Sequence, residues 1–212
     1  MMMKSKKAKT ALSILEEVYG NRGTELNYSS DFHLLIAVIL SAQCTDKRVN
    51  LVTKKLFKEL DTPEDFANVE TAKLEKLIFS TGFYKNKAKN IIACSKEIVK
   101  RGGQLPKTIE ELTNLAGVGR KTANVVLSEL HGISEGVVVD THIFRVSTRL
   151  GITKGKTPEQ VEKELMNILD KKDWIKYGNI MIQHGRTRCK SRKPDCENCE
   201  VKNICSFYKS NS

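Results

Sequence analysis

No apolar run in this 212-residue chain reaches the ~20 residues that a membrane-spanning helix needs. The period-2 alternation of a half-buried sheet is missing as well. Only Val137-Val138-Val139 resembles a strand, and three residues cannot build a sheet. There is no low-complexity segment and no long linker, so nothing suggests a disordered chain. Acid is scarce beside base: 25 acidic residues face 36 basic ones, leaving a net charge of +11. That excess favours a polyanionic partner, nucleic acid first and an anionic membrane surface second. Cysteine is nearly absent before residue 189, where only Cys44 and Cys94 occur, both in apolar helical contexts that predict core positions.

The last quarter is different. Cys189, Cys196, Cys199 and Cys205 follow the spacing C-x6-C-x2-C-x5-C, four thiols in seventeen residues. Four thiolates in one short loop are what a tetrahedral metal ion or an iron–sulfur cluster needs. Residues 1–10 are basic, but the next stretch, ALSILEEVYG, carries Glu16 and Glu17 and predicts an amphipathic helix instead of a signal-peptide core. The expected compartment is therefore a reducing cytoplasm, with nucleoid association if the source is prokaryotic. There, clustered cysteines point to metal ligation more than to disulfides.

What remains is helical. The length suits one large or two small domains, and 40% hydrophobic residues suffice for a core. Asp31 precedes FHLLIAVILSAQ, apolar almost all round, which predicts a buried central helix capped by Asp31. Asp46 is a candidate cap for the next helix. Thr62-Pro63-Glu64-Asp65 carries a cap, a proline at the first helical position and acids in the first turn. Thr71 starts a helix that Gly82 ends, and an amphipathic stretch from Asn86 to Arg101 closes on Gly102-Gly103. Thr108-x-x-Glu111 and Thr157-x-x-Gln160 read as capping boxes. The prediction is an all-α protein of roughly ten helices.

Between two of those helices lies Leu115-Ala116-Gly117-Val118-Gly119-Arg120-Lys121. Gly117 and Gly119 flank one apolar residue, which allows a tight turn with exposed backbone amides. Amides at the start of a helix form an anion site, and phosphate suits a basic protein. The same pattern is also met in an ordinary helix–turn–helix connection. On position alone Lys121 fits a phosphate clamp beside Arg120. It also fits a nucleophile, because the positive end of a helix opposes a cation there and a neutral amine attacks. Asp140 precedes THIFRVSTRLG, where an N-cap is the ordinary role.

Three motifs in order resemble the endonuclease III family of DNA glycosylases: LAGVGRKTANVVLSEL, then VVVDTHIFRVSTRLG, then the cysteine quartet. The resemblance runs from SAQCTD at 41–46 to Cys205. One departure is Ala116, where the family hairpin usually has proline. The resemblance implies a helix-hairpin-helix fold, with the motif at about 108–130. It implies a six-helix barrel domain at 24–134, and a second domain of 1–23 plus 135–212 that carries a [4Fe-4S] cluster in the loop 189–205, with a cleft between the two. It places the catalytic lysine on Lys121 and the catalytic aspartate on Asp140. Lys121 would attack C1′ of a flipped-out nucleotide, the base would leave, and β-elimination through a Schiff base would nick the strand 3′ of the site. A carboxylate at Asp140 would stabilise an oxocarbenium-like transition state. Gln43 matches the family's inserting glutamine, and Phe83 stands where the family commonly has a leucine wedge. On the residues alone, Gln43 also reads as a helix C-terminal polar residue and Phe83 as a core aromatic. His142 and Arg145 are further candidates for facing DNA. Lys190, Arg192 and Lys193, inside the six-residue gap of the quartet, suit phosphate.

The implied substrate is double-stranded DNA with an oxidised pyrimidine or an abasic site, handled by a monomer. Related adenine glycosylases usually lack the lysine and carry a long C-terminal domain, whereas this chain ends seven residues after Cys205. Two alternatives stand beside this reading. One is a glycosylase of the same fold for mismatched or alkylated bases. The other is a non-enzymatic DNA-binding protein with a four-cysteine zinc module, which the six-residue gap fits poorly.

Overall fold

The structure is a computed structural model that describes residues 2–20 and 22–211. Twelve α-helices and three short 3-10 helices, with no strand, make up the regular structure among the described residues. The expected ten helices become twelve because pieces such as Ser206–Asn211 are under two turns long, too short to show a period. Val137–Val139 forms no strand, since no second extended segment pairs with it among the described residues. No described helix is long and apolar enough to cross a membrane.

The chain divides into two compact units, Met1–Thr24 with Ser134–Ser212, and Glu25–Ile133. Helix α1 (Met2–Tyr19) belongs to the first. The second holds α2 (Asp31–Ser41), α3 (Asp46–Glu59), α4 (Pro63–Asn68), α5 (Thr71–Ile78), α6 (Tyr84–Lys100), α7 (Ile109–Thr113) and α8 (Arg120–His131). The chain then returns to the first unit with α9 (Thr141–Leu150), α10 (Pro158–Ile168), α11 (Trp174–Thr187) and α12 (Ser206–Asn211).

In the second unit α2 is the central helix. All nine residues from Phe32 to Leu40 are buried, each large apolar one contributing about 1.5–3 kcal/mol of burial. Helices α3, α6 and α8 pack around it. The polar exception, His33, is satisfied: its ring stacks on Phe57 at 3.8 Å and contacts the Ser29 hydroxyl and the Asp61 carbonyl.

Several caps differ from expectation by one residue. Ser30, not Asp31, accepts from the His33 amide and caps α2; Thr45, not Asp46, caps α3. In both cases the hydroxyl residue takes the extended backbone of the cap, and the aspartate becomes the first helical residue, where its charge meets the positive end of the helix. Helix α5 follows Glu70 with no side-chain cap. Thr62 and Asp65 form a complete capping box. Thr108 and Thr157 each cap by hydroxyl only. Their partners bond elsewhere: Glu111 accepts from the Thr108 hydroxyl and Gln160 from the Lys156 amide.

The first unit packs α1, α9, α10 and α11 around Leu12, Leu15, Val146, Leu165 and Ile180. Tyr177, fully buried on α11, meets the Ser147 hydroxyl of α9 at 2.8 Å. Gly185 lets these helices approach: a Cβ there would lie 3.0 Å from the His142 Cβ.

Candidate active site and metal centre

In the Glu25–Ile133 unit, the hairpin joining α7 to α8 is anchored by Val118, 5% exposed and plugged into the core. Gly117 is required twice over. Its φ is +79°, and an added Cβ would lie 2.8 Å from the Asn90 Cβ on α6. Gly119 has an ordinary φ of −85° and open space above it. It is the N-cap of α8 and supplies no side-chain cap. An approaching anion therefore finds room beside the first amides of α8. Arg120 and Lys121 are the first two helical residues, both exposed. No side-chain hydrogen bond or ion pair holds the Lys121 amine among the described residues.

Gln43 and Phe83 lie in the same unit, and neither behaves as filler. Gln43 is exposed two residues past the end of α2, with φ +53°. Phe83 is 63% exposed, not a core aromatic, and has φ +49° just before α6. Left-handed backbone is costly for side chains such as these, about 1–3 kcal/mol each.

In the other unit Asp140 caps α9. Its Oδ1 accepts from the amides of His142 at 2.9 Å and Ile143 at 2.8 Å. Oδ2 has no partner among the described residues, so one oxygen fixes the side chain and the other is available. Arg145 is committed inside the protein. Its Nε donates to the Cys189 carbonyl and its Nη2 to the Gly185 carbonyl, with the His142 Nδ1 at 3.2 Å from Nη2. His142 and Arg145 thus brace the junction between α9 and the cysteine loop.

The four clustered cysteines form no disulfide and line one cavity with Val146, Leu150 and Val201 as apolar wall. Burial pushes the Cys199 thiol up to about 11 and also raises that of Cys196. Thiols of this kind ionise in exchange for a metal. No three Cys, His, Asp or Glu side chains are drawn together around a single ion's position among the described residues. Four thiols lining one cavity are a donor set for a metal centre, either a single ion or a cluster. His184, fully buried, puts Nε2 at 3.7 Å from the Cys199 Sγ and Nδ1 at 3.1 Å from the Tyr19 hydroxyl. Burial lowers its imidazole to about 4, so it is neutral at pH 7.

Between Cys189 and Cys196 the chain makes a closed loop. The Asp195 amide donates to the Arg188 carbonyl, and the Arg188 guanidinium pairs with Asp195 and Glu200. Lys190, Arg192 and Lys193 stand exposed at its tip, Lys193 with φ +49°. From beneath, Arg149 donates to the carbonyls of Lys190 and Ser191 and lies 3.5 Å from the Cys189 Sγ. Sequence reasoning missed Arg149 and His184. Both stand in α-helices at positions that read as ordinary face residues, and only the fold brings them to the cysteines.

Comparison with known proteins gives one consistent answer. The HhH-GPD superfamily base excision DNA repair protein family matches residues 36–171. The chain is 45% identical to the endonuclease III of Synechocystis sp. over 97% of its length and 94% of the relative's. It is 50% identical to that of Rickettsia conorii, over 89% of this chain and 90% of the relative. A solved structure of a trapped endonuclease III–DNA covalent intermediate, 41% identical, superposes with a TM-score of 0.90 over 98% of both chains. A thermostable thymine-DNA glycosylase, 20% identical with a TM-score of 0.83, shares the fold. The chain belongs to the HhH-GPD superfamily of base excision repair proteins and, within it, to the endonuclease III family.

Proposed function

We propose that Lys121 is the nucleophile of a bifunctional DNA glycosylase/AP lyase that removes oxidised pyrimidines from double-stranded DNA. Family membership makes the chain a base-excision enzyme of this kind. The observation that carries the assignment is the amine itself: exposed, without a partner, two residues past a glycine N-cap that leaves room for DNA phosphate. A relative caught in a covalent bond to DNA supports a nucleophilic mechanism.

The lesion is turned out of the stack, which costs a few kcal/mol and least where pairing is already weak. Lys121 attacks C1′, the C1′–N bond breaks, and the base leaves. The sugar ring opens to a Schiff base on Lys121, and β-elimination cuts the strand on the 3′ side. Asp140 keeps Oδ1 on the amides of α9 and offers Oδ2 to the positive charge that develops on the sugar. Gln43 and Phe83 fill the space the base vacates. The hairpin amides and the tip Lys190–Lys193 hold the backbone.

Cys189, Cys196, Cys199 and Cys205 are the residues that would hold a [4Fe-4S] cluster. Bound there, the cluster supplies rigidity and no step of the reaction. The loop it pins presents Lys190, Arg192 and Lys193 with little freedom left to lose.

Borohydride reduction during turnover of a thymine-glycol duplex tests the assignment. The wild-type chain should yield a covalent protein–DNA adduct and Lys121→Ala none. An adduct from Lys121→Ala would sink the proposal.

A further inference from the structure

Lys87 is 6% exposed, although it lies in a stretch, Lys85–Arg101, with six basic residues and one acid. No carboxylate pairs with its ammonium among the described residues. It is held by main chain instead: Nζ donates to the Leu40 carbonyl at 2.8 Å and to the Thr81 carbonyl at 2.9 Å. Burying a cation without a counter-ion is costly, and burial lowers the Lys87 pKa from its ordinary value. A lysine that only filled space could be replaced by a methionine of similar length.

The two carbonyls belong to different segments. Leu40 lies in the last turn of α2, where helix carbonyls lack partners and a cation is favourable. Gln43 follows three residues later. Thr81, itself 2% exposed, ends the 3-10 turn Phe79–Thr81, and Phe83 follows two residues later. The Lys87 amide also donates to the Phe83 carbonyl at 3.0 Å. One residue thus grips both segments that end in an exposed, left-handed side chain.

We propose that Lys87 is a positioning residue that locks the Gln43 and Phe83 turns to each other, so that the two side chains enter the duplex as one two-pronged wedge. This rests on the wedge roles assigned above. The ammonium sets the separation of the turns through two short bonds. Without it each turn can relax out of its left-handed backbone independently, and the prongs no longer enter together.

Lys87→Met is the test. Excision from a duplex with a well-paired thymine glycol should fall at least about tenfold, while borohydride trapping on single-stranded abasic DNA, which leaves no gap to fill, should stay within about twofold. An equal fall on both substrates, or no fall on the duplex, overturns the proposal. In a Gln43→Ala/Phe83→Ala background, Lys87→Met should add little, because its partners in function are gone. A fully additive loss would show that it acts elsewhere. If Lys87→Met does not fold, Lys87→Arg keeps the donors but misplaces them. It should show the same split between substrates, and an even loss would again overturn the role. A wild-type chain that traps no DNA at all would instead defeat the glycosylase reading, a result recorded independently of the variants.

Discussion

The Arg149 guanidinium donates to the Lys190 carbonyl at 2.7 Å. With its bond to Ser191 and its approach to the Cys189 sulfur, one side chain of α9 supports both a metal-ligand candidate and the base of the basic loop. Arg149→Met should leave the helices folded but free the loop tip. Freed backbone costs about 1 kcal/mol per residue on binding, so affinity for a lesion duplex should drop roughly fivefold or more. Titration of a fluorescent duplex at fixed ionic strength measures this, and unchanged affinity would mean that the loop keeps its shape without Arg149.

Substitution can separate the cap that Asp140 forms from the catalytic role proposed for it. Asn keeps an oxygen for the His142 and Ile143 amides, so Asp140→Asn should melt close to wild type. It lacks the carboxylate, so excision should slow by about a hundredfold. Asp140→Ala should lose the cap as well, a further cost of about 1 kcal/mol in stability. Single-turnover excision beside thermal melts distinguishes the two; wild-type excision by the Asn variant would leave Asp140 as a cap alone.

The hairpin glycines should respond differently. Gly117→Ala meets both an unfavourable φ and the Asn90 Cβ, and should cost about 1–3 kcal/mol. Gly119→Ala meets neither and should cost about 1 kcal/mol or less, as a weaker N-cap. Its methyl instead intrudes where phosphate is expected, so DNA affinity should fall more than stability does. Denaturant melts paired with binding curves would show whether the two effects separate in this way.

Stability should decline in alkali through Cys94. Burial in the core of the Glu25–Ile133 unit raises its thiol from the ordinary 9.0 to about 12. The unfolded chain therefore gives up this proton first. The contribution is complete below pH 9 and is lost as pH rises from 9 towards 12, by up to about 4 kcal/mol. The stability gap between wild type and Cys94→Ala should narrow over that window. A gap independent of pH would contradict the burial effect.

Much of this was legible in sequence because it is local. The period of α2, the glycine hairpin and the cysteine spacing each lie within some twenty residues. Asp140 could be placed as a cap because capping is a matter of four consecutive residues. The caps at Asp31 and Asp46 slipped by one position because Ser30 and Thr45 offer the same chemistry one residue earlier. Lys87, Arg149 and His184 were hidden for a different reason. Each is defined by what it meets 15 to 47 residues away, such as the Leu40 carbonyl, the Lys190 carbonyl or the Cys199 sulfur. On a helical wheel Lys87 is one more basic residue, and only the packed core shows that it faces inward.

Among the described residues, just three apart from glycine hold a left-handed backbone: Gln43, Phe83 and Lys193. Each is also a residue assigned to meet DNA. A breeder selecting this protein for heat resistance alone would be drawn to write glycine at all three, since that removes the strain without disturbing any packed side chain. The reward would be a tougher molecule whose contacts with the double helix had been filed away. On the roles proposed for them, thermal endurance and repair compete at these three positions.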